Sequence, residues 1–232
     1  MSTLIPWSHD LAAYKQMFML TQEEQQQAKM LDCGSGVASV NAELIALGNQ
    51  HMVSCDALYA QSLAQIAQVI ATRKAKLAAA LREHQQDVNL DFTNQAALDD
   101  FVSQQQQHME RFYQDYQTAS ARERYIAADL PRLPFDDHQF DLALSSHFLF
   151  HKLLPEHDDQ FHIDMVLEMC RVAREVRIYP VMDADGNIAQ AIGPVMAALQ
   201  AHDYGVEIKQ VEYCLLKDSN AMLRAWSNYC VV

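Results

Sequence analysis

Met30-Leu31-Asp32-Cys33-Gly34-Ser35-Gly36-Val37-Ala38-Ser39 runs from an apolar strand through an acidic residue into a glycine-rich turn that opens a helix. Glycine lets a backbone approach a ligand closely and take turn conformations that a side chain forbids. A helix start adds free N–H groups and the positive end of a dipole. That combination reads as a nucleotide-type cofactor site, and the acid two places before Gly34 narrows the choice of cofactor. Taken alone, the motif also fits a glycine turn with no ligand.

Two cofactor classes compete. The dinucleotide fingerprint G-x-G-x-x-G/A matches at Gly34 and Gly36, but its third position falls on Ser39, and the small residue comes one place early, at Ala38. A carboxylate at Asp32, beside the turn, would also repel a pyrophosphate. S-adenosylmethionine (SAM) reverses both arguments: it has no phosphate, and its methionine end carries an ammonium group that a carboxylate binds. Asp32-x-Gly34-x-Gly36-x-Ala38 therefore resembles motif I of the class I SAM-dependent methyltransferases, with Ala38 where that family usually has its third glycine.

The residues that follow fit the same plan. Val37 to Leu47 reads as a helix, with Val37, Val40, Leu44 and Leu47 on one face, and Gly48 stops it. His51 to Cys55 reads as a second strand ended by Asp56, 24 residues after Asp32. That is about where βαβ folds place the acid that binds ribose hydroxyls, and a carboxylate accepts both bonds of a vicinal diol.

Further along, Arg124 to Ala128 reads as strand 3. A link containing Leu133-Pro134-Phe135 follows, then strand 4 from Asp141 to Ser146. This segment resembles the one joining strands 3 and 4 in class I methyltransferases. The resemblance implies that Asp129 contacts the adenine amino group and that Leu130 adds a backbone N–H and an apolar contact. Asp141 reads as structural. Ser145 and Ser146 fall at the C-terminal end of strand 4, where open α/β sheets bind ligands. The resemblance spans about Trp7 to Leu223 and is nearest to a bacterial group of unassigned substrate. Tyr14, Met17, the segments 146–150 and 168–180 and Asn220-Ala221-Met222-Leu223 also carry it. It implies that Tyr14 and Met17, on a helix before the core, face the cofactor as part of a lid.

The expected architecture is a single domain over residues 1–232. It is α/β, with a Rossmann-like class I methyltransferase fold, a seven-stranded mostly parallel sheet and a C-terminal antiparallel hairpin. The family order of strands is 3-2-1-4-5-7-6. Trp7 to Leu20 reads as a helix and Gln22 to Lys29 as a polar connection. Residues 57–121 are too long for a simple crossover and read as a helical insertion or cap, with apolar stripes over Ser62 to Arg82 and Ala96 to Tyr116. Arg73, Lys74, Lys76 and Arg82 form the dense basic cluster of the chain, read as solvated helix charge ahead of an anionic-substrate patch. Helices are expected at Asp159–Arg171 and Gly193–His202. Later strands are expected at Glu175–Tyr179, Val206–Tyr213 and Ala221–Val231. Asp183 to Asn187 reads as a turn and not as a calcium loop.

Composition sets bounds. A net charge of −13 argues against nonspecific nucleic-acid binding, which rests on basic patches. No run approaches the roughly 20 apolar residues needed to span a bilayer, and residues 1–10 lack a secretory pattern. The five scattered cysteines, Cys33, Cys55, Cys170, Cys214 and Cys230, read as reduced core residues of a cytoplasmic protein, neither a disulfide frame nor a metal site.

Methyl transfer from SAM is an in-line SN2 displacement at an already activated methyl, so the protein needs a general base only where the acceptor starts protonated. The substrate pocket is expected past strand 4, where Ser145, Ser146, His147 and His151 supply polar groups. His147 is the candidate base, weighed against a packed histidine bonded to backbone. His147, His151, His157 and His162 could in principle hold zinc, but no His-Glu-x-x-His string is present and no metal is expected. The sequence thus points to a SAM-dependent methyltransferase with a small-molecule acceptor, no nucleic-acid or membrane partner and an oligomeric state it does not specify. A noncatalytic SAM-binding or partner-binding protein and, further off, a nicotinamide-dependent oxidoreductase stay open.

Overall fold

The computed structural model describes residues 5–150, 158–183 and 187–228. Its sheet has seven strands: β1 (Met30–Cys33), β2 (Met52–Cys55), β3 (Tyr125–Ile126), β4 (Phe140–Ser146), β5 (Ala173–Tyr179), β6 (Tyr204–Gln210) and β7 (Ala221–Ser227). Their order is β3-β2-β1-β4-β5-β7-β6, the order the resemblance implies. β1 to β5 pair in parallel, and β7 runs antiparallel to both β5 and β6.

Period-two alternation sorts the strand residues onto two faces. Leu31, Cys33, Ala143, Val176 and Ile178 face a core closed by α6 (Asp159–Val172) and α7 (Ile192–Ala201). Met30, Met52, Leu142 and Leu144 face the other core, closed by α1 (Leu11–Phe18) and α3 (Val40–Ala46). Each fully buried Leu or Met on these faces contributes about 1.5–3 kcal/mol of transfer free energy.

Between β2 and β3 lie α4 (Leu63–Glu83) and α5 (Gln95–Tyr116). Ser62 and Gln65 form a capping box that starts α4, and Asn94 caps α5 through the Ala97 N–H. Ile66 and Ile70 of α4 meet Met109 and Phe112 of α5, and the cluster continues to Val37 at the glycine turn and Tyr125 on β3. The two long helices are thus anchored beside the glycine turn.

The structure departs from the sequence reading in several places. Gln22 to Lys29 is not a plain connection: α2 (Gln22–Gln27) forms there, started by a capping box between Thr21 and Glu24. Glu24 also pairs with Arg177, which is buried in β5 and further bonded to Glu175 and the Phe18 carbonyl. An all-polar segment shows no apolar stripe, so the helix rests on this capping box and on the tertiary partner of Glu24. The helix expected from Trp7 begins at Leu11, capped by Asp10. β3 is two residues long and pairs with Ser54 and Cys55 only. β6 covers Tyr204–Gln210, not Val206–Tyr213. Gly205 lies opposite Trp226 on β7, where a Cβ would run into the indole ring. Residues 184–186 of the Asp183 to Asn187 turn and residues 229–231 of the last expected strand lie outside the described residues.

Among the described residues no helix is long and apolar enough to cross a membrane, and no group of three or more His, Cys, Asp or Glu could hold a metal ion.

Candidate functional site

A cavity of about 310 Å³ opens at the C-terminal ends of the parallel strands. The turn after β1 (Gly34 to Ala38), Asp56 after β2, and Ser146, His147 and Phe148 at the end of β4 form its sheet side. Residues 5–9, Tyr14 and Arg73 close it from outside. Its size is at the lower end of the range of about 300–1,000 Å³ usual for ligand pockets.

The glycine turn has the left-handed backbone its sequence suggests: φ is +70° at Gly34 and +55° at Gly36. A Cβ on Gly34 would meet the Phe148 ring at 2.6 Å, whereas one on Gly36 would meet nothing closer than 3.9 Å. Tyr59 clamps the turn, with its hydroxyl 2.9 Å from the Gly36 carbonyl and 2.6 Å from Ser35 Oγ. Asp56 accepts the Gly36 N–H at Oδ2 (2.8 Å) and the Leu58 N–H at Oδ1 (2.7 Å).

The helix after the turn begins at Val40, three residues later than the sequence suggests. The intervening backbone is taken by the N-terminal segment: Ser8 Oγ donates to the Val37 carbonyl (2.8 Å) and the Ser39 N–H donates to the His9 carbonyl (3.0 Å). Gln105 of α5 in turn holds the Ser8 N–H at 2.7 Å. So the N-terminal strap and the long helices join at the cavity mouth.

Asp32 is buried behind the lining. Tyr14, which does line the cavity, donates its hydroxyl to both Asp32 oxygens at 3.1 and 3.0 Å. Burial pushes the Asp32 carboxyl up to about 8, the Asp56 charge adds to this, and the Tyr14 bond pulls the other way. Burial and the nearby Asp32 also push the Tyr14 hydroxyl well up, so it stays a donor. Below the acid, the Cys33 and Cys55 thiols sit in register on β1 and β2, both buried. The Cys33 thiol is raised by its contact with Cys55 and by burial, as expected of a neutral, reduced core residue.

The remaining sequence-expected residues divide. Met17 is fully buried under Ser146, with Sδ 3.5 Å from its Oγ, and Ser145 is fully buried; neither lines the cavity. Asp129 and Leu130 also lie outside the lining. Crowding by protein atoms and then the Asp56 charge raise the Asp129 carboxyl, opposed by a hydrogen bond from the Leu130 N–H. That coupling places Asp129 in the same electrostatic neighbourhood as Asp56. His162 is buried and stacks on Phe150, 5.9 Å between centroids, and His151 and His157 lie outside the described residues.

His147 lines the cavity in a left-handed conformation, φ +55°. Its N–H donates to the Tyr179 carbonyl (2.6 Å) and its Nδ1 is 2.8 Å from Ser146 Oγ. Its ring stacks on His9, 4.5 Å between centroids at 18°, with Trp7 edge-on at 5.9 Å. Sequence reading did not single out His9 or Tyr59, and it met Arg73 only as one charge of the basic cluster and Phe148 only within the segment 146–150. Only the folded chain brings the N-terminal strap, the long α4 and the end of β4 to one mouth.

No family model matches the chain. An uncharacterized protein of Methanocaldococcus jannaschii, MJ0045, is 26% identical over 215 residues, covering 90% of each chain. Solved structures match the chain at low identity. A candidate SAM-dependent methyltransferase of Methanococcus maripaludis is 12% identical, with a TM-score of 0.48, over 98% of this chain and 87% of its own. The PH0226 protein of Pyrococcus horikoshii OT3 is 13% identical (TM-score 0.46, 93% and 90% covered). A SAM-dependent methyltransferase of Aquifex aeolicus is 12% identical (TM-score 0.42, 92% and 87% covered). This sequence relative from Methanocaldococcus is archaeal and does not belong to the bacterial group that the motifs suggest.

Proposed function

We propose that the cavity binds SAM and that the chain is a cytoplasmic SAM-dependent methyltransferase acting on a small-molecule acceptor. The observation that carries this reading is the bond from the Gly36 N–H to Asp56. In a dinucleotide site that N–H would face a pyrophosphate; here a carboxylate already occupies it, and a second acid, Asp32, lies behind the same turn. The Asp56 charge at that N–H repels phosphate, and the turn suits a phosphate-free cofactor with a ribose and a cationic end that can draw the proton off Asp32.

The residues present fit that cofactor. Asp32 is costly to ionise while buried and alone, and an ammonium group brought beside it favours the carboxylate. Asp56 keeps lone pairs on both oxygens beyond its two backbone bonds, enough for a diol. Gly36 allows close approach, Tyr14 fixes the Asp32 oxygens, and the resemblance assigns the adenine edge to Asp129 and Leu130, which lie outside the lining but near the Asp56 charge. Met17 and Ser145 support this wall from behind. When bound, SAM supplies an activated methyl for in-line displacement. His147, fixed at Nδ1 by Ser146, is the group on the wall that can take the acceptor's proton. Trp7 and Phe148 keep water from it.

Isothermal titration with SAM and, separately, NADH tests the reading. Saturable SAM binding without NADH binding is expected. NADH binding alone would replace it with an oxidoreductase. Tight SAM binding with no turnover across a broad acceptor panel would leave a noncatalytic SAM-binding protein.

A further inference from the structure

The basic cluster on α4 is divided by the fold. Lys74 pairs with Glu110 at 2.9 Å, Arg82 donates to Gln95 at 3.0 Å, and Lys76 is exposed. Of the four, Arg73 alone lines the cavity. Its Nη1 comes to 4.0 Å from the point where a Cβ on Gly36 would stand. Among the described residues no hydrogen bond or ion pair engages its guanidinium. Asp56 is near, but its two oxygens accept the Gly36 and Leu58 N–H groups. Burial lowers the Arg73 pKa against the opposing pull of Asp56 and Tyr59, yet a guanidinium stays charged in proteins.

A partly desolvated cation with five donors and no acceptor is an incomplete site. The group that best completes a guanidinium is planar and bidentate, a carboxylate. We propose that Arg73 is the carboxylate-binding residue of this cavity, so that the bound molecules include one whose carboxylate docks on α4. The proposal rests on the SAM reading, which offers two sources of that group: the α-carboxylate of the cofactor's methionine, or a carboxylate on the methyl acceptor. Either way, recognition comes from the helical segment between β2 and β3 and not from the glycine turn.

The test titrates wild type, Arg73→Gln and Arg73→Lys with SAM and with decarboxylated SAM. It also titrates acetate into protein saturated with decarboxylated SAM, read on the Arg73 Nε–H resonance. If the cofactor is the source, wild type prefers SAM over its decarboxylated form by about tenfold or more. Arg73→Gln then loses that preference while its affinity for decarboxylated SAM holds. If the acceptor is the source, the two proteins bind SAM alike, and acetate shifts the Arg73 resonance of the filled wild type. In both cases Arg73→Lys keeps part of the effect. Equal behaviour of wild type and Arg73→Gln toward SAM, with no acetate response, overturns the proposal. Wild type that binds neither form of SAM overturns the cofactor reading instead, and acetate titrated into the ligand-free protein then decides the role of Arg73 by itself.

Discussion

Tyr14 and Asp32 form a bifurcated bond in which one phenolic hydroxyl serves both carboxylate oxygens, at 3.1 and 3.0 Å. It joins α1 to the end of β1 and, among the described residues, is the polar link between the N-terminal helix and the acid of the glycine motif. Even with this donor, burial holds the carboxyl up to about 8, against about 3.9 in an unfolded chain. Between those values the native state keeps a proton that the unfolded state has released. In the absence of ligand, this group's contribution to stability is therefore full below about pH 4 and is lost as pH rises through about 8. Asp32→Asn removes that dependence and still offers Tyr14 an oxygen. Melting of both proteins across pH 5 to 9 should show the variant gaining on wild type up to about pH 8, by an amount on the order of a few kcal/mol. Parallel curves would mean that Asp32 is ionised in the empty protein. With SAM present the order should reverse, since the variant loses the partner of the ammonium.

Asp56 does two jobs, and substitutions separate them. It holds the Gly36 and Leu58 N–H groups, so Asp56→Ala should cost about 1–3 kcal/mol of stability in urea unfolding through lost charge-assisted bonds. Asp56→Asn keeps one acceptor oxygen and should cost less. Both should weaken SAM binding by calorimetry far beyond their effect on folding, by roughly 100-fold for Ala. An Asn variant that binds SAM as wild type does would remove the ribose role.

These two acids show what the sequence could reveal. Each sits at the end of a short apolar strand before a turn, so the position of both follows from local pattern. A parallel sheet was legible because strands alternate with helices whose stripes repeat every three or four residues, and a closing hairpin because the last two strands have too short a link for a crossover; the strand order itself came only with the methyltransferase resemblance. What was hidden depends on distant contacts. α2 begins at a local capping box, but its packing rests on Glu24 reaching Arg177, 153 positions away. The late start of α3 depends on Ser8 and His9 occupying backbone groups near residues 37–39. Arg73 looked like one charge in a run until the fold aimed it inward while Lys74 found Glu110.

The two glycines of the turn should differ in a way that spacing alone does not reveal. At Gly34 a Cβ would meet the Phe148 ring at 2.6 Å, and φ is +70°; at Gly36 there is room, and only φ +55° opposes a side chain. Gly36→Ala should therefore cost about 1–2 kcal/mol from the left-handed backbone. Gly34→Ala should cost that plus about 1–3 kcal/mol of overpacking. In a double-mutant cycle by urea unfolding, Gly34→Ala should cost less in a Phe148→Ala background than in wild type. An additive cycle would show that the ring moves aside freely.

His147 combines a strained backbone with the proposed role of general base, and the two can be tested apart. Its φ of +55° lies in a region that Asn and His enter more readily than β-branched residues. His147→Asn should keep the bond from its N–H to the Tyr179 carbonyl and unfold in urea within about 1 kcal/mol of wild type. His147→Val should lose about 1–2 kcal/mol more, the cost of forcing a branched side chain into the left-handed region. Because the Asn ring-less side chain cannot take a proton near neutral pH, the same variant that spares the fold should bind SAM normally. It should slow single-turnover methyl transfer to a protonated acceptor by about 100- to 10,000-fold. An acceptor whose nucleophile is already deprotonated should escape that loss, a split that a purely structural role for the His147–His9 stack would not produce. Equal slowing with both kinds of acceptor would reassign His147 to packing and leave the chemistry to the acceptor itself.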